Sequence, residues 1–415
     1  MPVSTLSLGS GSYQLIDDLG VPATAVTKGG NTLISAKNGL TDLGIGDDFQ
    51  SILTNSNVTI KAESIQNFTA DLGAGNNNLN IIGNVDSASI LFGDQLFTGS
   101  NRLDIRGNLT ASSSVLGNLK DSDSEYIDTN FDSETYLNVI GRNQISGAAG
   151  NDSFKISGIV EDTNFYMAAG SDSLVIGGAA EDVYVNTGAG NDLVEFRGTT
   201  NNIIVQTDSG NDTVIFRNEL EGKGNVTAAV ELGAGNDSLT LANGASYAEI
   251  NTGSGKDILR LTGDFTNTEF YLSGTAPGDS FPNTGDSISI SANSTFYDSN
   301  FGSINTSGDT LIVGSNSLWV NSDINFGDGS DSLVFGSNAT FTDSRISLGD
   351  GADTLVFGSN AIFDNTTIDL GDDGDMDVLR FSSQSDFERV VKFIGCDNSD
   401  VYYIGSDIFN FNSPV

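Results

Sequence analysis

Apolar and polar residues alternate in many short stretches of the chain, and these stretches recur at a nearly fixed spacing. In Asp192-Leu193-Val194-Glu195-Phe196, the second and fourth residues after the aspartate are apolar, which is the period of a β-strand. The second position after successive aspartates is occupied by Phe154, Leu174, Val194, Val214, Leu239, Leu259, Ile288, Leu311, Leu333, Leu355 and Leu379. The fourth position is occupied by Ile156, Ile176, Phe196, Phe216, Leu241, Leu261, Ile290, Val313, Phe335, Phe357 and Phe381. Because equivalent residues of a parallel solenoid stack about 4.8 Å apart, the pattern predicts two internal apolar ladders.

A second apolar pair precedes each of these aspartates, as at Val183 and Val185, and indicates the inward side of another strand. The turn on the far side of the repeat is clearest at Gly336-Ser337-Asn338, where glycine and asparagine tolerate left-handed backbone. The sequence therefore predicts coils of two strands and two turns.

The turn before each aspartate is rich in glycine and has a constant form. It is clearest at Gly188-Ala189-Gly190-Asn191-Asp192, and Asp172 and Asp212 lie 20 residues to either side of Asp192. The glycines allow backbone conformations closed to other residues and let carbonyl groups approach an ion. A carboxylate beside exposed carbonyls is a set of hard oxygen ligands, which suits Ca²⁺ and suits transition metals poorly.

This unit resembles the calcium-binding nonapeptide of RTX, or haemolysin-type, proteins, Gly-Gly-x-Gly-x-Asp-x-U-x with U apolar. The resemblance implies an all-β chain, a parallel β-solenoid of the RTX β-roll kind. The spacing gives it coils of about 20–22 residues and one calcium turn per coil. The first family glycine is missing from most copies, where residues such as Thr187 and Leu232 stand. The resemblance also implies type I secretion, whose signal is C-terminal and uncleaved.

The predicted cofactor is Ca²⁺, as several ions stacked along one edge of the roll. In the N-terminal copies the predicted ligands are Gly150, Asp152, Gly170, Asp172, Gly188, Gly190, Asn191, Asp192, Asp208, Gly210, Asn211, Asp212, Gly233, Gly235, Asn236, Asp237, Gly253, Gly255 and Asp257. In the C-terminal copies they are Gly327, Asp328, Gly329, Asp331, Gly349, Asp350, Gly351, Asp353, Asp372, Asp375 and Asp377.

Several turns depart from this form. Gly285-Asp286 and Gly308-Asp309 lack a residue, and Gly371 to Asp377 carries an insertion, so we expect these three turns to be empty or distorted. Asn77 stands at the acid position of its turn, which predicts a coil with a weak site or none.

The regularity of the repeat divides the chain into four parts. Residues 1–40 are interpreted as an N-terminal cap or assembly arm, and 41–145 as an irregular solenoid. Residues 146–381 are interpreted as the regular calcium-binding β-roll and 382–415 as a C-terminal cap, which the family resemblance implies is also the secretion signal. Within these parts, 121–132 and 264–286 are predicted to be loops, and the repeat is predicted to stop after Arg380.

Composition excludes several classes of function. The 415 residues include 55 acidic and 17 basic ones, for a formal net charge of −38, which excludes nucleic acid and anionic membrane as partners. There is no histidine, so histidine-dependent triads and zinc motifs are absent, and the single cysteine allows no internal disulfide. No apolar run is long enough to insert into a membrane. We expect a protein that is not an enzyme.

The repeat covers most of the chain and leaves no separate effector domain. The leading hypothesis is a secreted, extracellular calcium-binding structural protein that assembles with itself into a layer, sheath or fibril on a bacterial cell. Cell-surface polysaccharide is a second predicted partner. The alternative is a calcium-stabilised adhesin or other surface-binding module, and a polysaccharide-acting enzyme or an ice-binding protein is less favoured. Ice-binding rolls of similar form carry threonine in the calcium turn, where this chain has Ala189, Ser209, Ala234, Ser254, Asp328 and Asp350.

Overall fold

A computed structural model of the chain describes residues 12–16, 22–28, 31–41, 43–45, 57–73, 75–92, 99–110, 143–223, 227–272, 285–303, 307–371, 373–383, 392–396 and 399–410. Every regular element in these ranges is a β-strand, so the predicted all-β class is confirmed. The same ranges hold no helix with the length and apolar character needed to cross a membrane. The chain divides into two compact units, Met1–Ser209 (unit 1) and Gly210–Val415 (unit 2).

Short strands follow one another through both units. The strands of unit 1 are β1 Ser12–Ile16, β2 Pro22–Lys28, β3 Asn31–Ser35, β4 Leu40–Thr41, β5 Gly44–Ile45, β6 Asn57–Asp71, β7 Asn78–Leu91, β8 Arg102–Arg106, β9 Leu109–Thr110, β10 Asn143–Ser146, β11 Ser153–Ile156, β12 Val160–Tyr166, β13 Ser173–Ile176, β14 Ala180–Asn186, β15 Leu193–Phe196 and β16 Thr200–Gln206.

The strands of unit 2 are shorter on average. They are β17 Thr213–Phe216, β18 Leu220–Glu221, β19 Ala228–Glu231, β20 Ser238–Leu241, β21 Ala245–Asn251, β22 Ile258–Leu261, β23 Asp264–Tyr271, β24 Ser287–Ile290, β25 Thr295–Tyr297, β26 Asn300–Gly302, β27 Thr310–Val313, β28 Leu318–Val320, β29 Asp323–Asn325, β30 Ser332–Phe335, β31 Thr340–Thr342, β32 Arg345–Ser347, β33 Thr354–Phe357, β34 Ile362–Asp364, β35 Thr367–Asp369, β36 Val378–Phe381, β37 Lys392–Ile394, β38 Val401–Ile404 and β39 Asp407–Asn410.

Each unit is a parallel β-solenoid whose core consists of the predicted apolar ladders. In unit 1, β11, β13 and β15 pair in parallel, and Leu174 lies between Phe154 and Val194. In unit 2, β27, β30 and β33 pair in parallel, and Leu333 lies between Leu311 and Leu355. All six of these side chains are buried, so the inward positions were predicted correctly.

The coils of unit 2 from Ser287 onward contain three strands, where the sequence predicted two. One coil comprises β30, β31 and β32, and its second corner bends at Asp343, which has a φ of 51°. In unit 1 the second and third strands are fused, as in β12, which bends at Asp162 with a φ of 47°. Aspartate tolerates this conformation better than most residues, so the bend needs no glycine.

Phenylalanine and tryptophan rings fill much of the core of unit 2. The Phe296 ring lies 4.8 Å from that of Phe265 and 4.0 Å from that of Trp319, and both contacts are stacked. Trp319 is fully buried in this column. Stacked rings at this spacing stabilise a core more than their buried area alone.

Antiparallel strands adjoin the parallel coils at the chain ends. β1 pairs antiparallel with β2 and β2 with β3, whereas β3 pairs in parallel with β6. At the other end β38 pairs in parallel with β36, with Tyr402 opposite Leu379, and antiparallel with β39. The prediction that the repeat stops after Arg380 is therefore wrong, because β38 continues it.

The predicted loops have different outcomes. The prediction of a loop over 264–286 is wrong for its first part, because Asp264–Tyr271 forms β23 and pairs in parallel with β21. Residues 273–284 and the predicted loop at 121–132 lie outside the described residues.

Candidate metal centre

The glycine turns bring the backbones of successive coils close together. Gly233 and Gly235 have φ values of 88° and 150°, a region that side chains other than glycine rarely adopt. A Cβ atom added to Gly235 would lie 1.4 Å from the carbonyl oxygen of Gly210. Glycine is therefore required both by the turn and by the close approach of the neighbouring coil.

The turn aspartates form a ladder in each unit, in which one carboxylate oxygen accepts the N–H of the equivalent residue one coil earlier. In unit 1, Asp172 Oδ1 accepts the N–H of Asp152 at 2.7 Å. In unit 2, Asp237 accepts the N–H of Asp212 and Asp353 that of Asp331, both at 2.7 Å. We call the turn that carries a ladder aspartate the aspartate corner.

The second carboxylate oxygen has no such partner at several of these positions. Oδ2 of Asp172, Asp237, Asp331 and Asp353 is buried and accepts no hydrogen bond. Each of the four residues is 1–2% exposed. A buried anionic oxygen without a donor is costly, because nothing replaces the water that it loses.

The pKa of these carboxyl groups records that cost. Without a cation, the pKa of each of the four rises from its ordinary value to about 8. Burial is the largest cause; the neighbouring ladder carboxylates also raise the pKa, and the N–H donated to Oδ1 opposes both. Burial raises the pKa of Asp152 as well, but only to about 6, because the N–H groups of Ala148 and Asn101 oppose it.

The chemistry of the aspartate corner fits a calcium ion. A bound cation would neutralise the unpaired Oδ2, and the turn carbonyls would complete a set of hard oxygen ligands. Within the described residues, no group of three or more acidic, histidine or cysteine side chains could hold a metal ion by itself. Any ion here would therefore depend on backbone carbonyls as well as on the ladder carboxylates.

The other predicted ligands divide by exposure. Asn211 and Asn236 are exposed and form an outer ladder, in which Asn211 Oδ1 accepts the N–H of Asn236 at 2.7 Å. Asn191, Asp208, Asp328, Asp350 and Asp375 are also exposed on their turns. Asp377 belongs to the buried ladder and accepts the N–H of Asp353 at 2.9 Å, whereas Asp372 lies outside the described residues.

The ladder includes residues that the sequence interpretation excluded or overlooked. Asp286 and Asp309 accept the N–H groups of Asp257 and Asp286 at 2.9 and 2.7 Å, so the shortened turns keep the ladder bond. Asp400 accepts the N–H of Asp377 at 3.1 Å. In unit 1 the ladder begins with two amides, because Asn101 Oδ1 accepts the N–H of Asn77 at 3.1 Å. The sequence contains a signal for Asn101 and Asp400, because Leu103 and Tyr402 stand two positions after them, where the other ladder residues are followed by an apolar residue.

Comparison with known proteins yields one similarity of fold. The chain matches no protein-family model and no curated protein. It is similar to the X-ray crystal structure of a hyperactive, Ca²⁺-dependent, β-helical antifreeze protein from an Antarctic bacterium. The two share 19% identity with a TM-score of 0.54, over 91% of this chain and 96% of that one. At this identity the similarity shows the β-solenoid fold alone.

Proposed function

We propose that this chain is a calcium-stabilised β-solenoid that acts outside the cell as a self-assembling structural element of a bacterial surface. The observation that carries the proposal is the row of buried, unpaired Oδ2 atoms at Asp172, Asp237, Asp331 and Asp353. Calcium at these turns would stabilise the fold, because a ligand that binds only the folded state shifts the equilibrium toward it. An extracellular medium supplies calcium at the concentrations that such modules use.

One face of unit 2 supports assembly with a second copy. The outward positions of β24, β27, β30 and β33 are Ser287, Ser289, Thr310, Ile312, Ser332, Val334, Thr354 and Val356. None of these eight residues is charged, although the chain carries a formal net charge of −38. Ile312 is 51% exposed at the middle of this uncharged face. Two copies could bring these faces together without the repulsion that opposes other contacts between them.

Electron microscopy of the purified chain with calcium and with chelator tests the proposal. We expect regular fibrils or sheets with calcium and dispersed particles with chelator. Ile312→Asp should prevent assembly, because it places a charge on the uncharged face. The matched control is Asn325→Asp, which adds the same charge at an exposed position on β29. Dispersed monomers at every calcium concentration, with tight binding to a glycan, would favour the adhesin instead.

Ice binding is the second candidate, and the same face favours it. Parallel strands place its serine, threonine, valine and isoleucine side chains in rows about 4.8 Å apart. The solved structure of similar fold is that of an antifreeze protein. The calcium edge itself suits this role poorly, because Ala189, Asp328 and Asp350 are exposed where threonine would be needed. Thermal hysteresis of the calcium-loaded chain tests this candidate, and Thr310→Lys should abolish any activity that the face supplies.

A further inference from the structure

The side-chain amide of Asn77 donates hydrogen bonds within its own turn. It lies at the position where several aspartate corners leave the carboxylate oxygen Oδ2 without a partner. Its Nδ2 donates to the carbonyl oxygens of Gly73 at 2.9 Å and Gly75 at 3.0 Å, and to Oδ1 of Asn101 at 3.1 Å. Asn77 is 2% exposed, so these bonds are made away from water. The amide thus supplies, from within the protein, the positive hydrogens that face the turn carbonyls.

Asn101 repeats this arrangement in part. Its Oδ1 accepts the ladder N–H of Asn77, and its Nδ2 donates to the Gly99 carbonyl oxygen at 3.3 Å. The second branch of the side chain therefore points toward the turn in both coils. In both, it ends in a donor.

The equivalent branch of Asp172 and Asp237 ends in Oδ2, which accepts no hydrogen bond and, when the carboxyl group is ionised, cannot donate one. The carbonyls at the matching turn positions belong to Ala168 and Gly170 in the first coil. An ionised carboxylate in this position offers no hydrogen to such carbonyls, and partly negative oxygens near it repel it unless a positive group lies between them. The Asn77 amide therefore occupies the place that a cation would take.

Asp152 and Asp286 receive a donor from the protein on this second oxygen. Asp152 Oδ2 accepts the N–H of Ala148 at 2.9 Å. Asp286 Oδ2 accepts the hydroxyl of Thr252 at 3.0 Å. These bonds use the oxygen that a cation would otherwise need.

We propose that the coils form two classes: Asp172, Asp237, Asp331 and Asp353 bind calcium, whereas Asn77, Asn101, Asp152 and Asp286 are completed by protein donors and bind none. This inference rests on the proposed calcium binding and adds which turns are occupied. It makes the described residues of 57–73, 75–92 and 99–110 a part of the solenoid that folds without metal.

Substitution of aspartate by asparagine tests the assignment, because Asn77 shows how the fold accommodates that residue. In the full chain, Asp172→Asn should lower the bound calcium by at least one ion per chain, measured by metal analysis after gel filtration. Its unfolding temperature should fall relative to the parent in calcium. In chelator it should rise above the parent, because the new amide donates to the turn carbonyls.

Asp152→Asn is the matched control, one coil earlier and equally buried. It should keep the full calcium content, and its unfolding temperature should fall in chelator, because its amide would face the N–H of Ala148. Asp237→Asn and Asp286→Asn repeat the comparison in unit 2, so the test survives if one variant fails to fold. Equal calcium losses within each pair would overturn the assignment while calcium binding stands. A parent chain that binds no calcium would overturn both the assignment and the proposed function.

Discussion

In unit 2, two corners of the same coils each accept a backbone N–H from the coil before. One corner does so with a serine hydroxyl and the other with an aspartate carboxylate. At the serine corner, between the second and third strands, Ser322 Oγ accepts the N–H of Ser299 at 3.2 Å and donates to the Val320 carbonyl at 3.0 Å. At the aspartate corner, Asp331 Oδ1 accepts the N–H of Asp309 at 2.6 Å, and Asp331 Oδ2 accepts nothing. Both Ser322 and Asp331 are buried.

A neutral serine hydroxyl is therefore enough to link one coil to the next, and none of its hydrogen-bonding capacity requires a charge. Ser344 repeats the arrangement one coil later, accepting the N–H of Ser322 at 3.2 Å and donating to the Thr342 carbonyl at 2.9 Å. Because stacking alone requires no charge, the carboxylates of the aspartate corner need a further explanation. A bound cation supplies one, since it converts their buried charge into a ligand.

Removal of calcium should have the largest effect, because it acts on every occupied aspartate corner and on no serine corner. We expect the chelated chain to show a reduced β-sheet circular dichroism and a lower unfolding temperature, and to regain both when calcium is added. Hydrogen exchange should speed up most at 227–272 and 307–371 and least at 57–82. A full β-sheet signal in excess chelator would contradict the comparison.

Transfer of the charge to the serine corner should have the next largest effect. Ser322→Asp buries a carboxylate where no glycine turn surrounds it, and should lower the free energy of unfolding by about 3–5 kcal/mol. Calcium should not restore the loss, as measured by urea unfolding with and without the ion. Ser322→Thr keeps the hydroxyl and is the control, because Thr268 already occupies this corner one coil before Ser299. Restoration of Ser322→Asp by calcium would show that the turn carbonyls are dispensable.

Removal of the carboxylate from the aspartate corner should have an effect that depends on calcium. Asp331→Ala leaves the N–H of Asp309 unpaired, which costs about 1–3 kcal/mol, and in calcium it also removes an ion. In chelator the cost should shrink, because the cost of burying an unpaired carboxyl group is removed together with the hydrogen bond. Ser322→Ala should cost about 1–3 kcal/mol at either calcium level. Identical costs for Asp331→Ala with and without calcium would contradict the assignment.

The third corner of these coils should give the smallest effect. Asn338 has a φ of 60°, is exposed, and donates to Asn316 Oδ1 at 2.9 Å. Asn338→Ala should cost about 1 kcal/mol, because alanine tolerates this conformation poorly. Asn338→Gly should cost less, and neither change should alter the calcium affinity in titration calorimetry. A calcium-dependent cost would mean that this corner influences the metal turns.

The sequence predicts the aspartate corner well and the serine corner not at all. Glycine, aspartate and an apolar residue two positions later are each restricted by backbone geometry, charge or burial, so the pattern repeats visibly. Ser322 is a small polar residue in Asn321-Ser322-Asp323, a stretch that resembles any exposed loop. Its burial depends on the neighbouring coil, which local sequence does not report.

The sequence predicted where the candidate site lies, but not which of its aspartates receive a hydrogen bond on the second carboxylate oxygen. Asp152 and Asp172 have nearly identical turns, yet only Asp152 accepts an N–H on its second oxygen. Asp286 was expected in a distorted turn, but the ladder bond persists and Thr252, far from it in sequence, supplies a donor. Such contacts arise between coils, so residue spacing along the chain cannot reveal them.

The ladder bond has a direction, and that direction relates to the order in which the chain is made. In the described pairs of the buried aspartate ladder, the earlier residue donates its N–H and the later residue supplies the oxygen, as Asp237 does for Asp212 and Asp353 for Asp331. A newly made coil therefore has an open N–H at its corner until the next coil has been synthesised and has closed over it. Growth from the N-terminus completes each corner in turn, so the solenoid is suited to folding progressively, one coil behind the emerging chain.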